Sequence, residues 1–337
     1  MRFLKISAAI TATLLIVYLL GPYPSTPYYN NTLPVVPSGS IALEQYVKAQ
    51  ESKHTLKPDN EARIVWANDF TKEKTEYAIV YLHGFSASQE EGNPLHRNIA
   101  KQFGCNLYLA RLAEHGIDTV DALINFTPER LWETAKEAYA IGKQLGKKVI
   151  LMGTSTGSTV AIQLAAAYPD VDGLVLLSPN IAINDPNAWL LNKPWGLQLA
   201  RLVKKGNYNL ITGKNPTYRN YWNDKYRLEA TSQLQELLET TMTIATFKSV
   251  NQPVLVLYYY KDETHQDKVV KVSAMKEMFN ELGTVTDKKK MIPIPGAGEH
   301  VLASPIVSHD INTPMREVAS FLSTVMHMDS LSRAGIH

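Results

Sequence analysis

The chain has 337 residues, 45% of them hydrophobic and 20% charged, with a formal net charge of +2. That length can bury a large core in one or two domains, and the composition is that of an ordinary globular protein. The near-balanced charge implies neither a nucleic-acid partner nor an acidic one, and the sole cysteine, Cys105, excludes an intrachain disulfide and a thiolate metal site.

In chain order, Arg2 and Lys5 precede an uncharged run from Ile6 to Leu20, closed by Gly21-Pro22. Basic residues before an apolar run read as a segment that enters a membrane. Residues 1–20 are therefore expected to be a membrane anchor, with the remainder of the chain periplasmic or extracellular. The alternative is a cleaved signal and a secreted product. Residues 21–40 hold Pro22, Pro24, Pro27, Pro34 and Pro37, which predicts an extended linker rather than a core element. From residue 41 to 337 the pattern is that of one α/β domain. A helix is predicted over 41–52 and a first strand over 62–66. Strands at 77–82, 105–111, 148–152 and 173–177 then alternate with helices at 94–103, 128–145 and 157–168. This rhythm predicts a doubly wound, mostly parallel sheet covered on both faces. Residues 181–250 break it and hold Trp189, Trp195 and Trp222, with helices expected at 187–204 and 229–245. Strands resume at 253–260 and 290–295. Thr313-Pro314 then opens a final helix as N-cap and first-turn proline, with Met315, Val318, Phe321, Leu322 and Val325 as its buried stripe.

Three strand ends carry chemistry. Lys148-Val149-Ile150-Leu151-Met152 runs into Gly153-Thr154-Ser155-Thr156-Gly157, a G-x-S-x-G pentapeptide followed by a small-residue helix. Strand, sharp turn and helix form the context of a nucleophile elbow, which holds a serine at the head of a helix. A serine needs a base and a group to orient that base. His300 follows the strand at 290–295 in the loop Gly296-Ala297-Gly298-Glu299, and Asp262 follows the strand at 253–260. Ser155, Asp262 and His300 stand in the chain order Ser…Asp…His. Asp267 is the alternative acid, but Asp267-Lys268-Val269-Val270 reads more simply as the capped start of the next helix. The nine histidines contain no His-x-x-x-His pair, so no metal is expected.

With its Leu82-His83-Gly84-Phe85 after a strand, the chain resembles the α/β-hydrolase superfamily, in particular the serine carboxylesterase and monoacylglycerol-lipase-like branch, over about residues 61–326. The resemblance implies Ser155 as nucleophile, His300 as general base and Asp262 as its carboxylate. It implies an oxyanion hole from the backbone N–H groups of Phe85 and Thr156, with His83 supporting that loop. It makes the insertion at 181–250 a lid, whose Trp189, Trp195 and Trp222 could line a substrate pocket. Ser158 departs from the pattern, since many relatives have a second glycine there. The expected activity is hydrolysis of lipid-derived or short acyl esters, without a cofactor. Thioester or peptide cleavage on the same triad is the alternative, and a non-catalytic module on this fold is the reading from another class.

Overall fold

The computed structural model describes residues 2–331; Met1 and residues 332–337, the outer ends of the expected anchor and domain, lie outside the described residues. Elements in chain order are α1 (Arg2–Leu19), α2 (Ser40–Glu51), β1 (Arg63–Val65), β2 (Thr75–Leu82), α3 (Leu95–Gln102), β3 (Asn106–Leu109), α4 (Pro128–Leu145), β4 (Gly146–Thr154), α5 (Thr156–Ala167) and β5 (Gly173–Leu177). The insertion contributes α6 (Gly196–Lys204), β6 (Tyr208–Leu210), α7 (Tyr218–Tyr221), β7 (Lys225–Arg227), α8 (Leu228–Thr241) and α9 (Ile244–Ser249). The chain then closes with β8 (Val254–Tyr258), α10 (Val272–Glu281), β9 (Lys289–Pro293) and α11 (Asn312–Thr324).

Seven strands form one sheet in the order β1-β3-β2-β4-β5-β8-β9, and only the β1–β3 pair is antiparallel. The central strands are near-continuous apolar runs because both faces are covered. Val149 and Leu151 of β4 belong to the core shared with α4, α5 and α10, whereas Ile150 and Met152 belong to the core shared with α3 and α11. Alternation along one strand thus feeds two cores. Parallel strands bring all their carboxyl ends to one edge, where ligands bind in such sheets. Ser155, His83 and the segments after β8 and β9 all follow those ends.

Two local readings change. α11 begins at Asn312, and Asp310 Oδ1, rather than the Thr313 hydroxyl, takes the N–H groups of Asn312 and Thr313 at 3.1 and 3.0 Å. The expected helix at 187–204 is split, because Trp195 adopts a left-handed φ of 65° and α6 starts only after it.

The membrane reading of residues 1–20 is overturned. No helix among the described residues is long and apolar enough to cross a membrane. α1 has 18 residues, which at about 1.5 Å each falls short of a bilayer core of about 30 Å. Ser7, Thr11 and Thr13 also dilute its apolar run. The expectation of a domain placed outside the cytoplasm by that segment falls with it. Residues 22–38 carry no helix or strand, yet they lie along the domain. The carbonyls of Asn30, Asn31 and Thr32 accept from Trp132 Nε1 at 2.8 Å, Tyr168 OH at 2.8 Å and Lys136 Nζ at 2.9 Å.

Candidate active site

Ser155 joins β4 to α5 with no loop between them. Its φ of 52° and ψ of −117° cost a non-glycine residue about 1–3 kcal/mol, a strain that persists only when the surroundings enforce it. The enforcement is visible in the flanking glycines. A Cβ on Gly157 would stand 1.9 Å from the Leu82 carbonyl oxygen, and one on Gly153 would stand 2.6 Å from the Gly157 backbone. Ser155 N–H donates to the Leu177 carbonyl at 2.9 Å, which ties the elbow to β5. Ser158 is accommodated because its hydroxyl donates to the Gly153 carbonyl at 2.6 Å inside the core.

The loop after β2 is held from within. His83 Nδ1 lies 2.9 Å from the Gly84 carbonyl, and its Nε2 accepts the Leu112 N–H at 3.0 Å. One ring nitrogen donates and the other accepts, so the ring is neutral. Burial pushes its pKa well below the usual histidine value. Glu91, in the short 3-10 turn Gln89–Gly92, accepts the Gly84 N–H at 2.5 Å. Burial pushes this carboxyl up to about 7. The sequence reading gave Glu91 no role; an acidic residue shortly after His-Gly-Phe was the only available signal.

His300 finds its carboxylate at Asp267, with Nδ1 2.6 Å from Asp267 Oδ2. Asp267 is buried, and its Oδ1 accepts the N–H groups of Val269 and Val270 at 2.8 and 3.1 Å. An ionised carboxylate only accepts, so Nδ1 carries the proton and Nε2 is free to act as a base. Burial disfavours the imidazolium, but the adjacent Asp267 charge outweighs this and raises the His300 pKa above its ordinary value. Ser178 supports the loop by donating its hydroxyl to the His300 carbonyl at 2.7 Å.

Asp262 does not reach His300, and the expected pairing is corrected to Asp267. Tyr260 and Gln266 form an isolated antiparallel bridge, so residues 261–265 make an outward excursion. At its tip Asp262 is solvent-exposed, and its Oδ1 accepts the N–H groups of Thr264 and His265 at 2.9 and 2.8 Å. Hydrogen bonds from Thr264 and His265 hold its carboxyl below the usual aspartate range. Asp267 does bond the amides that follow it, but α10 begins only at Val272 and Asp267 is not its cap.

A cavity of about 630 Å³ is lined by Phe85, Ser155, Glu91 and His300 at one end. Much of its wall comes from the insertion, with Leu191, Leu199, Ile211 and Leu234 as an aliphatic part and Asp185, Lys204 and Lys214 as a charged part. Of the three tryptophans, only Trp222 lines it, 3% exposed and stacked on Tyr218 with ring centroids 4.7 Å apart. The expectation for the other two is corrected. Trp189 is 54% exposed and off the wall, and Trp195 is 41% exposed and donates to the Val17 carbonyl of α1 at 2.9 Å. Thr156 is buried as the first residue of α5, where helix N–H groups are free of intrahelical partners.

Comparison with known proteins bears on the family and the fold. The family described as serine aminopeptidase, S33, matches residues 132–325. A thermostable monoacylglycerol lipase of Bacillus sp. (strain H-257) is 28% identical over 200 residues, covering 59% of this chain and 75% of that protein. Among solved structures, one from the work on LipS and LipT, two metagenome-derived lipolytic enzymes, has a TM-score of 0.59 at 14% identity, covering 79% of this chain and 99% of the other. Est1E from Butyrivibrio proteoclasticus with ferulic acid bound has a TM-score of 0.52 at 16% identity, covering 79% and 95%. At such identities these two structures speak to the α/β-hydrolase fold.

Proposed function

The chain belongs to the serine aminopeptidase S33 family of α/β-hydrolases and is a hydrolase of the esterase and lipase kind, and on that premise we propose that it cleaves carboxylic esters with a medium or long acyl chain by way of an acyl-enzyme on Ser155. The observation that carries this reading is the 2.6 Å contact between buried Asp267 and His300, which lines the same cavity as Ser155.

His300 Nε2 takes the Ser155 proton as Oγ attacks the ester carbon, and the Asp267 charge stabilises the imidazolium that forms. The carbonyl oxygen becomes an oxyanion, received by the backbone N–H groups of Phe85 and Thr156. The tetrahedral intermediate collapses, and the alcohol leaves with the proton from His300. Water then repeats the sequence on the acyl-enzyme and releases the acid. The aliphatic part of the wall, with Leu191, Leu199, Ile211 and Leu234, favours an acyl chain over a polar peptide, since burying unpaired amide groups there is costly. The monoacylglycerol lipase likeness makes monoacylglycerols the first substrates to try.

The test is hydrolysis of monoacylglycerols and of a graded series of acyl esters, together with fluorophosphonate labelling, for wild type and Ser155→Ala. Loss of both activities in a folded Ser155→Ala is expected. Undiminished labelling of that variant, or cleavage of peptides but not esters by wild type, overturns the reading.

A further inference from the structure

We infer that Glu91 is a positioning residue of this site: its carboxylate clamps the turn that presents the Phe85 amide, and it lines the same cavity as His300. This rests on the triad reading above.

Three observations meet at one place. The Gly84 N–H is engaged by Glu91 Oε2 at 2.5 Å, one residue before the Phe85 amide that would receive the oxyanion. The point where a Gly84 Cβ would stand is 2.9 Å from both Glu91 carboxylate oxygens and 3.1 Å from Ser155 Cβ, so a larger residue at 84 would displace either the carboxylate or the nucleophile. Glu91 also lines the reacting end of the cavity together with Ser155 and His300.

The surroundings explain why a carboxylate rather than an amide matters. Glu91 is 2% exposed, and among the described residues no lysine or arginine forms a salt bridge with it. The titratable groups facing it are His300 from the loop after β9, Tyr81 of β2, Tyr218 of α7 and the adjacent Glu90. Burial opposes its ionisation, and His300 is the group whose positive charge favours it. The attraction is mutual, so above about pH 7, where Glu91 is ionised, it adds to Asp267 in stabilising the imidazolium that forms when Ser155 attacks. Glu299, next to His300, acts in the same sense from the loop itself. Asp267 grips Nδ1 and sets the tautomer, whereas Glu91 acts from the cavity side and fixes the oxyanion turn.

Two variants separate the clamp from the charge. Glu91→Gln can still accept the Gly84 N–H but carries no charge; Glu91→Ala does neither. For folded Glu91→Ala, kcat should fall by about 10- to 100-fold with little change in KM, somewhat less than the 10²–10³ typical of losing an oxyanion donor outright. For Glu91→Gln, the midpoint of the kcat/KM profile against pH should move down by about half a unit or more, because His300 loses a neighbouring negative charge. If Glu91→Ala does not fold, the Gln profile alone decides. Fluorophosphonate labelling at Ser155 in the wild type is the control. Its absence overturns the triad reading and this inference with it. Its presence, with a Gln variant whose pH profile matches wild type, overturns the role of Glu91 and leaves the triad standing.

Discussion

Substitutions at Asp267 should separate turnover from stability. In Asp267→Asn the Oδ1 acceptor for the Val269 and Val270 amides is kept, but an NH₂ group replaces the oxygen that faces His300 Nδ1 at 2.6 Å. The imidazole must then turn its acceptor toward Asn, which places the proton on the nitrogen that should serve as base. Turnover should fall by roughly 10⁴, as expected when the orienting carboxylate of a triad imposes the wrong tautomer, while the melting temperature barely moves. Asp267→Ala also orphans two backbone N–H groups, each worth about 1 kcal/mol, so it should lose turnover and about 2 kcal/mol of stability. Asp262→Asn is the control: its carboxylate is exposed and serves only its own turn, so turnover should stay within about twofold of wild type. Steady-state kinetics and thermal melts of the three variants decide the assignment. If Asp267→Asn keeps full turnover, or Asp262→Asn loses it, the placement of the acid is refuted.

Wild-type kcat/KM should rise with pH, since His300 acts neutral, with a midpoint above the ordinary 6.5 because Asp267 raises its pKa; a midpoint below 6 in an ester-hydrolysis profile would contradict this. Glu91 holds a proton in the folded state that the unfolded chain has lost between the ordinary 4.5 and about 7, so wild-type stability falls as pH rises through that window. Glu91→Gln should therefore gain on wild type at pH 8 relative to pH 5, by at most about 3 kcal/mol, as read from denaturant melts at the two pH values. Gly157→Ala has no room for its methyl group against the Leu82 carbonyl and should yield little folded protein on expression, as followed by circular dichroism. Leu234→Trp should fill part of the cavity and shift the preferred acyl chain to shorter esters in the graded series.

The strand-and-helix rhythm was legible because a parallel sheet buried on both faces leaves continuous apolar runs such as Val149 to Met152. The elbow was legible for a related reason: Gly153 and Gly157 mark places where the backbone touches itself, a constraint local in sequence. The acid was not, because Asp262 and Asp267 differ only in what a five-residue excursion does between them. Asp262-Glu263-Thr264 already has the makings of an aspartate that serves its own turn, and this was the available clue. The tryptophans misled because aromatic content says nothing about direction. Trp195 faces α1 and Trp222 faces the cavity, and only the tertiary arrangement distinguishes them. Residues 1–20 misled through charge asymmetry, which counts flanks and overlooks the shortness of the helix between them.

The latch at residues 30–32 has a consequence for how the protein can be shortened. Three successive carbonyls are held by the side chains of Trp132, Tyr168 and Lys136, and Tyr29 reaches Thr240 of α8 through its hydroxyl at 2.8 Å. A chain trimmed to begin at Ser40 would leave the buried Lys136 ammonium with Glu133 but without the Thr32 carbonyl, and would open the edges of Trp132 and Tyr168 to water. The stretch before the first core helix thus behaves as a seam of the domain itself, and a shortened chain that keeps the domain intact must keep residues 29–32.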